Sequence, residues 1–223
     1  MGVYLWNNEW LPWENTIAYY PLDSNTTVND ASRNNRNLTN NGTTFWVYQW
    51  VDSGYINGNM YFTWISTPSN ITINIRYNLR HKSENYHLIA WLRYGVSNTN
   101  AYWLLMTGEF AGRPNWQWFW IQYNNSSTAD NYYWLTNWMI STEWVWYNWV
   151  LTYDWATLKI YTNWVLSTSA SSSMSNARDT IMLWWSPENS QVNLSNVIFE
   201  DKVRTADEIS NYYNSTKANY WIS

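Results

Sequence analysis

The chain has 223 residues, 12 Lys+Arg against 16 Asp+Glu, a formal net charge of −4 and only 13% charged residues. That length buries one sizeable core, and the lack of any basic cluster excludes a nucleic-acid or anionic-membrane footprint. Cysteine is absent, which removes a disulfide framework, a thiolate nucleophile and a Cys-type zinc site.

In chain order, residues 1–14 read as an N-terminal appendage. "MGVYLWNNEWLPWEN" lacks the basic start and uninterrupted apolar run of a signal peptide, and no later stretch is long enough to span a membrane. "NITINIRYNL" from Asn70 alternates Ile71, Ile73, Ile75, Tyr77 and Leu79 with Thr72, Asn74, Arg76 and Asn78. This is the period-2 pattern of a half-buried strand. "HLIAWLR" from His87, "AYWLLM" from Ala101, "WQWFWIQY" from Trp116, "WYNWVLTY" from Trp146 and "TLKIYTN" from Thr157 continue the series. Short strands with turn signals between them predict a sandwich or barrel. "SASSSMSNAR" at 169–178 reads as a loop. "TADEISNYYNST" supplies Thr205 as N-cap and Glu208 three residues on, so a capping box opens a helix of about ten residues. Ile209, Tyr212 and Tyr213 form its apolar stripe.

One compositional feature stands out: 21 Trp and 7 Gly in a turn-rich chain. Seven glycines in 223 residues is about 3%, where about 7% is usual. In "TYDWATLKIYTNWVLSTS" at 152–169, Trp155 follows Asp and Trp164 follows Asn, where a tight hairpin wants Asp-Gly or Asn-Gly. Trp13, Trp50, Trp184 and Trp185 stand in similar turn contexts, whereas Trp118, Trp120 and Trp146 stand in strands. The reading drawn from this placement is a bacterial lineage that decodes UGA as glycine, displayed with a table that decodes it as tryptophan. A natural aromatic-rich surface is the alternative.

Three blocks in order resemble the laminin G-like (LamG) jelly-roll modules of the concanavalin A-like lectin/glucanase superfamily. They are "NTIAYYPLDSNTTVNDASRNNRNLTNNG" at 15–42, "WYNWVLTYDWATLKIYTNWVL" at 146–166 and "LSNVIFEDKVRTADEISNYYN" at 194–214. The resemblance implies an antiparallel β-sandwich jelly roll with a short C-terminal helix over 15–215, followed by a tail at 216–223. In these modules the two turns carry glycine. The closing block departs from the family pattern, with Ser195 and Asn196 where many relatives have an acidic pair.

Such modules bind sugars in some proteins and proteins in others, and fold does not fix function. A glycosidase on this fold would need an E-x-D-x-E strand to supply its two carboxylates, and none occurs, so no catalytic residues are assigned. The expected function is non-catalytic recognition, of carbohydrate or a cell-surface glycan, in a larger extracellular or cell-surface protein. The other reading is a structural or adhesive domain with a protein partner. Stacking on a pyranose face needs exposed rings beside a few fixed polar groups. Arg113, Asn115, Trp116, Trp118 and Trp120 offer that set, with Tyr132 and Tyr133 on the expected hairpin partner. Related modules often bind calcium, for which the loop carboxylates Asp23, Asp30 and Asp52 are the candidate ligands; the alternative is that Asp23 and Asp30 form turns. His81 is expected in a solvated loop and His87 at a strand start, too isolated for a metal site.

Overall fold

The computed structural model describes residues 14–22, 29–41, 44–48, 51–56, 59–63, 70–81, 86–94, 100–107, 118–124, 130–136, 144–154, 156–171, 180–184 and 191–220. The strands are β1 (Thr16–Tyr20), β2 (Thr39–Asn41), β3 (Thr44–Tyr48), β4 (Val51–Ile56), β5 (Asn59–Thr63), β6 (Ile71–His81), β7 (Tyr86–Tyr94), β8 (Asn100–Thr107), β9 (Trp118–Asn124), β10 (Asp130–Thr136), β11 (Trp146–Tyr153), β12 (Thr157–Thr162), β13 (Val165–Ser171), β14 (Thr180–Trp184) and β15 (Gln191–Glu200). Helix α1 (Ala206–Thr216) and a 3-10 turn at Lys217–Tyr220 follow, so the segment expected as a tail is helical through Tyr220. Among the described residues these strands form two antiparallel sheets. One runs β13-β12-β11-β6-β15-β4-β3 with β1 also paired to β15, and the other runs β10-β9-β8-β7-β14-β5-β2. The protein is an antiparallel β-sandwich with one short C-terminal helix.

The alternation in β6 sets the first sheet. Ile73 pairs with Leu151 and Phe199, Ile75 with Trp149, and Tyr77 with Tyr147 and Leu194, and all of these side chains are buried. Directly paired residues share a face, so this is one continuous apolar face, extended onto β12 by Ile160 opposite Leu151. Tyr77 and Tyr147 stack at 5.6 Å between ring centroids.

The opposite face departs from the half-buried expectation. Thr72, Asn74, Arg76 and Asn78 are also buried, because α1 lies over that side. Tyr19, Val150, Tyr161 and Ile198 of the sheet form a cluster there with Ile209 and Tyr212 of the helix. Burying Ile209 alone contributes about 2 kcal/mol. The helix starts as its sequence predicts: Thr205 Oγ1 accepts from the Glu208 amide at 3.2 Å and Glu208 Oε2 accepts from the Thr205 amide at 2.8 Å. At its other end Arg76, wholly buried, donates to the Thr216 carbonyl at 3.4 Å and to its hydroxyl, donates to Asn148 Oδ1 at 3.3 Å, and lies 5.2 Å from the Tyr212 ring centroid. A cation there also favours the negative end of the helix dipole.

Two further expectations change. His81 ends β6 and does not sit in a loop, because pairing with Gln191 prolongs the strand. Residues 169–171 belong to β13, since Thr157 of β12 pairs as far as Ser171.

The side-chain oxygen and nitrogen of Asn74 are buried with no hydrogen-bond partner among the described residues. An unsatisfied buried amide costs about 1–3 kcal/mol. Asn74→Leu, close in volume, is therefore expected to raise the thermal midpoint by about 2–4 °C; a lower midpoint in calorimetry would contradict this account of the polar row.

Burial pushes the Glu208 carboxyl up. Hydrogen bonds from Lys202, the Thr205 amide and Arg204 outweigh it and hold the group at about 2, below its ordinary 4.5. A depressed carboxylate stabilises the fold above its ordinary value, and that contribution fades as pH falls towards 2. Urea titrations should show the wild type losing stability more steeply than Glu208→Gln between pH 4.5 and 2; parallel losses would remove Glu208 from the acid sensitivity.

Candidate functional site

The candidate ligand strand, β9, lies near the edge of the second sheet, with β10 outside it and β8 inside. Its register with β10 pairs Trp118 with Thr136, Trp120 with Trp134 and Gln122 with Tyr132, while Phe119 pairs with Leu135 and Ile121 with Tyr133. Positions 118, 120 and 122 thus share a face with 132, 134 and 136, and Tyr133 falls on the opposite face. The two tyrosines expected near one surface are separated by the period-2 geometry of the strand. Arg113, Asn115 and Trp116 lie outside the described residues.

The same face continues across the sheet. Trp103 pairs with Gln122 on one side and Trp91 on the other, and Trp91 pairs with Met182, which pairs with Tyr61. Trp91, Trp103 and Trp134 were not among the candidates from sequence. Strand order across a sheet has no local signature, so the signal was present in each strand but its assembly was not. The other face runs through Phe119, Ile121, Leu104, Leu92, Ile181 and Phe62, with His87 and Asn100 near the strand ends.

The carboxylate candidates are distributed differently. Asp30, in the loop after β1, is buried and accepts four hydrogen bonds: Oδ1 from the Tyr19 and Ser32 amides, and Oδ2 from the Ser32 hydroxyl and the Arg36 amide, all at 2.8–2.9 Å. It is the pin that folds this loop against β1, the turn-forming role. Asp52 is in β4 opposite Val47, and Asp23 lies outside the described residues. Among the described residues no three of His, Cys, Asp and Glu gather to hold a metal ion.

Glu200 and Glu208 do come together, but through Arg204. Its Nε donates to Glu200 Oε2 at 2.9 Å and its Nη1 to Glu208 Oε1 at 3.0 Å. Burial pushes the Glu200 carboxyl up while Arg204 opposes that shift. Glu200 is wholly buried, so a glycosidic oxygen has no path to it, and the trio staples β15 to the start of α1. Asn196, in the block that departs from the family pattern, has φ 48° at the irregularity in β15 between Ser195 and Ile198. Its side chain accepts from the Tyr19 hydroxyl at 2.7 Å. Asn tolerates this backbone conformation well.

Of the two hairpin turns, Trp155 lies outside the described residues. Asp154 Oδ1 caps that turn, accepting from the amides of Ala156 at 3.0 Å and Thr157 at 2.6 Å. Trp164 is in the two-residue turn between Thr162 and Val165, with φ 72° after Asn163 at φ 45°. Its ring lies 4.4 Å from that of Tyr213 and remains 39% exposed.

No protein-family model matches the chain, and no curated protein matches it in sequence. Solved structures do match in fold. The binding domain of Paraclostridial Mosquitocidal Protein 1 superposes with a TM-score of 0.70 at 13% identity, covering 91% of this chain and 52% of that one. Domain 4 of AbnA, an extracellular GH43 arabinanase from Geobacillus stearothermophilus solved with arabinotriose, gives 0.67 at 12% identity, covering 88% of this chain and 97% of that domain. A structure of botulinum neurotoxin type C, whose cell entry depends on interaction with two ganglioside molecules, gives 0.68 at 13% identity over 91% of this chain and 51% of that one. The chain spans about half the length of the toxin structures and nearly all of the arabinanase domain, and what the likeness establishes is the shared β-sandwich fold.

Proposed function

We propose that this domain is a non-catalytic carbohydrate-recognition module of the laminin G-like type, working in an extracellular or cell-surface protein. The observation that carries the reading is the face shared by positions 61, 91, 103, 120, 122 and 132, where five aromatic residues lie in register with the single amide of Gln122. Rings stack on the apolar face of a pyranose or furanose, and amides fix its hydroxyls. The opposite face is apolar through Phe119, Ile121, Leu104, Leu92, Ile181 and Phe62, with His87 and Asn100 near the strand ends, which suits its centre to the inter-sheet core. The sugar-bound arabinanase domain and the ganglioside-dependent toxin support the same reading by analogy of fold. The four protein hydrogen bonds that Asp30 accepts support its turn-forming role over a calcium-binding one. A structural or adhesive role with a protein partner is favoured by one observation, the exposure of Val165 and Leu166 at the β12–β13 hairpin.

The test is retention on immobilised arabinan and on ganglioside-bearing vesicles, competed by free oligosaccharide. Binding that Gln122→Ala and Tyr132→Ala each weaken about tenfold supports the reading, since tenfold is the loss of one good contact. No retention on a broad glycan panel, with self-association on sizing, would favour the adhesive role.

Tyr132 and Tyr133 give an internal control. Tyr133→Ala should lower stability by about 3 kcal/mol in urea unfolding, as for a large core side chain, and Tyr132→Ala by less than about 1 kcal/mol. The reverse order would place the binding face on the wrong side of the sheet.

A further inference from the structure

The backbone separates the tryptophans into two kinds, independently of what the domain binds. Trp146 and Trp149 lie in β11, 2% and 1% exposed. Trp144 and Trp164 lie in turns at φ 67° and 72°, 43% and 39% exposed. Trp144 was not singled out by its sequence neighbours, since it follows Glu and not Asp or Asn.

A left-handed backbone disfavours a residue bearing Cβ by about tenfold, and bulky residues there are genuine outliers. Among the described residues, the other non-glycine positions at positive φ have their own explanations. Asn35, Asn163 and Asn196 are of the type that tolerates this region, and Leu22 is wholly buried, so packing of its side chain offsets the strain. Trp144 and Trp164 are not of that type, and neither is buried as Leu22 is. Trp164 does touch Tyr213, and the Lys217 ammonium lies 6.0 Å from its ring, yet more than a third of the side chain stays in water. At 163–164 both central residues of a two-residue hairpin have positive φ, and Asn-Gly is the pair that best fits that turn.

We infer that positions 144 and 164 are glycine in the native protein, each encoded by UGA in a lineage that reads this codon as glycine. The inference goes beyond a shortage of glycine in the composition, because it selects individual positions by backbone angle and leaves Trp146 and Trp149 as tryptophan candidates. Its consequence for the binding face is direct: each tryptophan in β7–β10 counts as a ring only if its codon is UGG.

Two measurements decide it. The first reads the codons at 144 and 164, together with peptide masses of the protein from its native source. UGA codons with glycine masses at both positions are expected, and UGG at both, or tryptophan in both peptides, would overturn the inference. The second compares Trp→Gly with Trp→Ala at each position by thermal unfolding, which asks whether the backbone prefers glycine. The glycine variants should melt about 2–4 °C above the alanine variants; equal or lower midpoints at both positions would remove the conformational ground for the proposal.

Discussion

The first sheet buries both faces of its central strands, and the rest of the domain is arranged around that constraint. One face of β6, β11 and β15 is the apolar sandwich core. The other carries Thr72, Asn74, Arg76, Asn78 and Asn148, all shut away from water. A buried guanidinium is tolerable only when its donors and charge are answered. The last residue of α1 answers Arg76, with Asn148 and the Tyr212 ring completing its surroundings. The helix is therefore a structural wall of the sandwich. Its N-terminal end is fixed by a second charged set, in which Arg204 bridges Glu200 of the last strand and Glu208 of the first helical turn.

The two sheets differ in how their faces are composed. The central strands of the first sheet are committed on both sides, whereas register in the second gives one face that is apolar at its centre and one that mixes aromatic and polar types. Chemistry can vary on such a face without disturbing the core, which is how one architecture serves unrelated ligands.

Much of the fold was legible because its signals are local. The alternation of 70–79 gave β6, and Thr205 with Glu208 gave the helix start down to both hydrogen bonds of the capping box. The burial of the polar side of β6 was not legible, because it depends on a helix about 130 residues later in the chain folding back over it. The site followed the same division. Trp118, Trp120 and Tyr132 share a face, as period-2 logic and hairpin pairing suggest. Tyr133 could not be assigned from sequence, since a one-residue shift in register moves every side chain to the other face. Asp30 was a candidate for a metal ligand or, more readily, for a turn, and only the positions of its four donors distinguish the roles.

The pairing of β1 with β15 sets how the domain folds. Thr16 sits opposite Glu200, so the first strand gains its partner only after nearly the whole domain has been synthesised. Long-range closure of this kind slows folding and leaves earlier strands exposed on a growing chain. The same adjacency puts the start of β1 beside the root of α1, so that closing the sheet and docking the helix complete the fold together.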